Sequence, residues 1–174
     1  MKRKSMNELQ RPSLAEYKLK EKHSIIIALD DVRSMHNVGS VFRTADAFGL
    51  HKILLGGITP QPPHRDIQKA ALGATESVDW SHEQDLKETL TKLKDEGWEI
   101  LSVEQVHDSI SLEKYSRSKN DKIILVFGNE VHGVSDDVLA LSSQCIEIPQ
   151  HGTKHSLNIS VSVGVVLWGL LHQL

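Results

Sequence analysis

Three short segments combine residue types suited to a polar, partly charged ligand. The first is Asn37-Val38-Gly39-Ser40-Val41-Phe42-Arg43, where Gly39 and Arg43 stand four apart and so share one face of a helix. A glycine beside a guanidinium lowers the local wall and lets a ligand or another backbone come close. An ordinary exposed arginine on an amphipathic helix would give the same pattern. The second is Phe127-Gly128-Asn129-Glu130-Val131-His132-Gly133, mostly polar, with two glycines that permit positive φ and expose backbone N–H groups. Glu130 there can meet a polar ligand or orient Arg43, and a tight loop with a solvated carboxylate is the plainer alternative. The third runs from Ile148 through Gln150, His151 and His155 to Ser156-Leu157-Asn158-Ile159-Ser160. It is a helix start rich in hydroxyls, with an amide and free N–H groups.

The elements between these segments alternate. Ser24–Asp30 is an apolar, β-branched strand. Helical spacing of Val38, Val41, Phe42, Ala45 and Phe48 follows, with Asn37 suited to the N-cap and Gly49 to the exit. The pattern then predicts a strand over His51–Leu55, a proline-rich loop, a short helix over Asp66–Leu72 and a strand over Glu76–Trp80. An amphipathic helix over Glu83–Glu96 and a strand over Trp98–Glu104 come next, then a helical turn over Ser111–Tyr115 and a buried strand over Lys122–Gly128. A helix capped by Ser135, a strand over Cys145–Pro149 and a final apolar helix over Ile159–Leu171 complete the chain. Such alternation predicts an α/β domain with a mainly parallel sheet covered by helices on both faces. Ligands in such sheets sit beyond the carboxyl ends of strands, which singles out the loops after Asp30, Phe127 and Pro149. Trp80, Trp98 and Trp168 are expected to pack.

The whole chain sets bounds. Its 174 residues, 39% hydrophobic and 25% charged, suit one ordinary domain. Cys145 is the only cysteine, so an internal disulfide is excluded and a reducing compartment is favoured. No signal peptide or membrane span is legible, and the expected location is the cytoplasm. The net charge of −3 gives nucleic-acid binding no global support. Charge is uneven, however. Lys2, Arg3, Lys4, Arg11, Lys18, Lys20 and Lys22 crowd residues 1–22, read as a basic N-terminal extension to a domain spanning 23–174. A phosphate-following arm and a solvated, frayed terminus both fit this segment. His132, His151 and His155 lack a third ligand at standard spacing, so no metal is assigned.

Taken together, Asn37…Gly39…Arg43, then FGNE with Gly133, then IP…G…SLN.S resemble, in order and spacing, the three motifs of the SpoU/TrmH branch of the SPOUT RNA methyltransferases. The resemblance covers Ile25 to the C-terminus. Gln150 departs from it, standing where the family often has methionine. The resemblance implies a C-terminal trefoil knot, a homodimer with its site near the interface, and S-adenosylmethionine (AdoMet) bound among the knot loops. It implies methyl transfer to a ribose 2′-hydroxyl of RNA, with tRNA favoured over rRNA. Catalytic positions would be Asn37, Arg43, Glu130, Ser156 and Asn158. Cofactor contacts would come from Phe127, Gly128, Asn129, Glu130, Ile148, Gln150, Ser156 and Leu157.

A ribose hydroxyl is a poor nucleophile, so its proton must be taken or the developing alkoxide stabilised. The resemblance assigns this to Arg43. A guanidinium stays protonated in almost every protein setting, so a cationic clamp on phosphate and alkoxide meets the requirement better than a base. A nicotinamide oxidoreductase would want G-x-G-x-x-G and a hydrolase G-x-S-x-G, and neither occurs. A non-catalytic RNA-binding module of the same fold is the remaining rival, disfavoured by retention of Asn37, Arg43, Glu130 and Asn158.

Overall fold

The computed structural model describes residues 1–5, 7–117 and 121–172. Its sheet comprises β1 (His23–Asp30), β2 (Leu50–Gly56), β3 (Trp80–Glu83), β4 (Glu99–Val103), β5 (Ile110–Ser111), β6 (Ile123–Phe127) and β7 (Gln144–Glu147). All pairings are parallel, in the order β3-β2-β1-β6-β4-β7-β5. The carboxyl ends of β1, β6, β4 and β7 therefore lie side by side.

The strands are apolar on both faces because both faces are covered. Ile25, Ile27 and Leu29 of β1, with Leu125 and Phe127 of β6, face α2 (Met35–Phe48) and α7 (Ile159–Leu171). The alternate residues Ile26, Ala28, Ile124 and Val126 face α5 (Leu86–Asp95) and α6 (Asp136–Leu139). A one-residue slip would exchange the two sets, so burial itself fixes the register.

Strand β7 lies between β4 and β5, which are consecutive in the chain. α6 brings the chain to β7 on one face of the sheet and α7 carries it away on the other. The last strand thus passes through the loop that β4, β5 and β6 close, the trefoil crossing that the resemblance implied. Where the passes meet, the Gln105 amide donates to the His155 carbonyl at 2.8 Å.

Several boundaries differ from the sequence pattern. α2 begins at Met35 and its N-cap is Ser34, whose hydroxyl accepts the Asn37 N–H at 3.2 Å. Asn37 is thus not the cap, which leaves its amide for other partners. Glu76–Trp80 is not a strand. Gly73, at φ +89°, starts the short helix α4 (Ala74–Ser77), which packs on α2 together with α3 (Arg65–Ala71), and β3 begins only at Trp80. Glu83 closes β3 instead of opening α5, whose cap is Asp85. Ser111 ends a short strand paired with β7, and the expected turn follows it, closed by Tyr115 N–H to the Ser111 carbonyl. No described helix is long and apolar enough to cross a membrane.

The N-terminal segment folds against the domain. Helix α1 (Leu14–Leu19) carries a capping box between Ser13 and Glu16, and the Tyr17 hydroxyl donates to the Asp46 carbonyl of α2 at 2.9 Å.

Candidate active site

Three loops meet above the carboxyl ends of β6, β4 and β7. The Glu130 carboxylate accepts the N–H groups of Arg33 (3.0 Å) and Ser34 (3.1 Å) and the Asn37 side-chain amide (3.1 Å). The Asn37 carbonyl in turn accepts the Asn158 amide at 3.1 Å. The Asn158 carbonyl accepts the N–H and hydroxyl of Ser160, capping α7. One polar relay therefore joins the start of α2, the loop after β6 and the start of α7, across separations of 93 and 121 residues. Glu130 sits where free N–H groups collect at a helix start, a natural seat for an anion.

Burial pushes the Glu130 pKa up, but the Arg33, Ser34 and Asn37 donors outweigh it and hold the carboxyl below its ordinary 4.5. A lowered folded-state value means the tether contributes fully above the ordinary range and is lost as pH falls through the folded value. Glu130→Gln is expected to cost about 1 kcal/mol at neutral pH, the modest figure reflecting an exposed setting. The gap between wild type and variant in urea midpoint should close as pH drops below 4.5. A gap independent of pH would show that the carboxylate charge is not what holds the loops.

The loop after β6 is a closed turn. Asn129 and Gly133 exchange backbone hydrogen bonds at 2.9 Å. The Asn129 side chain accepts the Val131 and His132 N–H groups and donates to the Asp31 carbonyl at 2.7 Å. Its amide is thus occupied in shaping the loop. Beneath lies a cavity of about 680 Å³, lined by Phe127, Gly128, Asn129, Glu130, Ile148, Gln150, Ser156, Leu157 and Asn158 among others. Every position that the resemblance marks for cofactor contact lines this one space.

Sequence reading missed Glu104 and Gln105, which also line the cavity. Glu104 accepts the Val134 N–H at 3.1 Å and tethers the loop from β4. Only the position of β4 beside β6, at the shared carboxyl edge, would have pointed to them.

Arg43 is not in the cavity. It lies exposed on α2 and lines a separate groove beside α1 and α4. Helical geometry explains this: six residues beyond Asn37 is about 9 Å along the axis and about 240° around it. The opening beside Gly39 is also taken, because a Cβ there would stand 2.5 Å from the Ile67 carbonyl and 2.7 Å from the Ala70 Cβ. Gly39 admits α3, not a ligand.

A model described as the SpoU rRNA Methylase family matches residues 24–168. The chain belongs to the SpoU methylase family. Among its relatives is the tRNA (guanosine(18)-2′-O)-methyltransferase of Escherichia coli K12, 26% identical across 97% of this chain and 72% of the relative. Another is the 23S rRNA (guanosine-2′-O-)-methyltransferase of Neisseria meningitidis serogroup B, 32% identical across 82% of this chain and 56% of the relative. The AdoMet-bound rRNA methyltransferase of Sinorhizobium meliloti superposes with a TM-score of 0.79 at 24% identity, covering 88% of this chain and 58% of that one. This chain thus spans little more than half of the last two proteins. The match establishes this SpoU domain as the knotted α/β fold of these neighbours.

One apolar face of the SpoU domain is uncovered. Val161, Val165 and Trp168 recur at helical spacing along α7, exposed Leu157 lies just before its cap, and Trp168 is 62% exposed. Trp168 therefore does not pack in the core, contrary to the pattern. Among the described residues it stacks on His172, with ring centroids 4.0 Å apart.

Proposed function

We propose that this protein is an AdoMet-dependent RNA methyltransferase that modifies a ribose 2′-hydroxyl, acts as a homodimer in the cytoplasm, and favours tRNA. The observation that carries the reading is the Glu130–Asn37–Asn158 relay, which draws all three motif segments to the rim of one cavity. Similarity to relatives named for 2′-O-methylation supports the reaction. The E. coli relative, matched over nearly the whole chain, favours tRNA, and the Neisseria relative keeps rRNA as the second reading. The family match begins at residue 24, which agrees with taking residues 1–22 as an extension.

The cavity suits the cofactor. Its volume lies in the range of small-molecule sites, and Ile148 and Leu157 offer apolar surface to an adenosine. Glu104, Glu130, Asp136 and Glu147 also line it, and among the described residues no Lys or Arg does, which matches a sulfonium cation. When bound, AdoMet supplies an activated methyl group. Gly128, Ile148, Gln150, Ser156 and Leu157 hold and orient it, and Glu130 and Asn37 keep the loops in place. The Ser156 hydroxyl, exposed at the rim and without a partner among the described residues, is free to meet a ligand.

An acidic cavity cannot by itself stabilise an alkoxide next to an RNA phosphate. The cation must be brought in, and Arg43 of a second copy is our candidate. The stripe on α7 gives that copy its seat, since a helix apolar on nearly all sides calls for cover. Trp168→Glu is expected to convert dimer to monomer in sedimentation, with a stability change within about 0.5 kcal/mol because the side chain is exposed in the monomer. Methyl transfer should fall with the dimer. A dimer that persists in this variant would place the interface elsewhere.

The reaction itself is tested by incubating the protein with labelled AdoMet and bulk tRNA or rRNA and mapping ribose methylation by mass spectrometry. Absence of 2′-O-methyl product from both RNAs would sink the assignment.

A further inference from the structure

Charge in this protein is segregated. Residues 1–22 hold seven cations and three carboxylates, whereas the remaining 152 residues hold thirteen cations and twenty carboxylates, a net charge of −7. Most of the molecule therefore repels a polyanion, and the N-terminal segment attracts one. That segment is also placed from Ser13 to Lys22. The Ser13–Glu16 capping box forms α1, and Tyr17 pins it to α2 through the Asp46 carbonyl. Lys22 lies over the Tyr17 ring, 2.9 Å from its centroid, and donates to the Tyr17 carbonyl. Burial, with Asp46 nearby, pushes the Tyr17 phenol up to about 12, so its hydroxyl keeps the proton it donates.

Between α1, α2 and α4 this docking leaves a groove of about 680 Å³. Arg11, Lys20 and Arg43 line it, and none of the three has a hydrogen-bond or ion-pair partner among the described residues. Of the carboxylates along it, Asp46 is engaged by the Ser77 hydroxyl, while Glu21 and Glu76 are exposed. The two concavities thus differ in sign: among the described residues, the cavity below the knot loops has no Lys or Arg, and the groove has three unpaired cations, including the arginine assigned to the reaction.

We propose that the groove between α1, α2 and α4 carries the phosphate backbone of the RNA substrate, leading it past Arg43. The proposal rests on the reading of this protein as an RNA methyltransferase and adds the path by which RNA reaches the site. In the homodimer, a strand laid in the groove of one protomer would offer its ribose to the cavity of the other. The basic extension is then a built wall of the substrate site.

The test uses the full chain and unfractionated tRNA as probe. Arg11→Gln/Lys20→Gln should weaken binding at least about fivefold. It should lower the slope of log affinity against log salt by about 1.4, at roughly 0.7 for each lost contact to single-stranded RNA. AdoMet affinity should not change. The control, Lys87→Gln/Lys92→Gln, removes two exposed cations on the opposite face of the sheet and should bind RNA as the wild type does. Photo-crosslinking of 4-thiouridine-substituted tRNA should tag the peptide spanning residues 11–22. Wild-type binding with an unchanged slope in the groove variant, an equal loss in the control, or crosslinks confined to other segments would each overturn the groove. A wild type that binds no RNA would overturn the functional reading as well.

Discussion

Arg43→Ala is expected to lower methyl transfer by at least about 10²-fold, the loss typical of removing one donor that steadies developing negative charge, while AdoMet still binds with wild-type affinity. The split follows from position. Arg43 lies outside the cavity proposed for the cofactor, so its removal changes nothing that AdoMet would touch. It also lies exposed, without a partner among the described residues, so the fold should not suffer. Titration calorimetry with AdoMet and a single-turnover assay on tRNA measure the two quantities separately. Mixing experiments then decide which copy supplies the guanidinium. If Arg43 acts across the interface, an Arg43→Ala chain mixed with an Asn158→Ala chain should recover activity, because each mixed dimer retains one site with both groups intact. No recovery would require Arg43 to reach the cavity of its own chain. Near-normal methylation by Arg43→Ala alone would remove it from the reaction.

Gly128→Ala should act on the cofactor instead. A Cβ at Gly128 would stand 2.0 Å from the Gly133 carbonyl carbon and 2.1 Å from the Val134 nitrogen. Both obstacles are backbone, so no side-chain rotation relieves the clash and the loop must move. Overpacking of this kind costs about 1–3 kcal/mol, and here the displaced loop is the one that Asn129, Glu104 and Glu130 hold over the cavity. We expect AdoMet affinity to fall by about 10-fold or more, with a lowered unfolding midpoint. Calorimetric titration and thermal unfolding measure these, and unaltered affinity would show that the loop does not shape the cofactor site.

Much of this protein was legible from residue order alone. Alternating apolar strands and amphipathic helices gave a covered parallel sheet, because burial on both faces demands near-continuous apolar runs such as Ile25–Leu29 and Ile123–Phe127. The family resemblance marked two segments that line the cavity, since loop residues such as Gly128 and Asn129 owe their types to local turn chemistry. Local signals failed where a distant partner decided. Ala74–Ser77 became helix because α2 offered it a packing surface, and Ser34 displaced Asn37 from the cap. The crossing of β7 between β4 and β5 brought Glu104 and Gln105 to the cavity, and no local pattern encodes a threading. Tertiary structure also separated Arg43 from Glu130 and Asn158. Residues close in sequence on a helix point apart when their spacing is not a whole number of turns, and only the placement of neighbouring elements determines what each one meets.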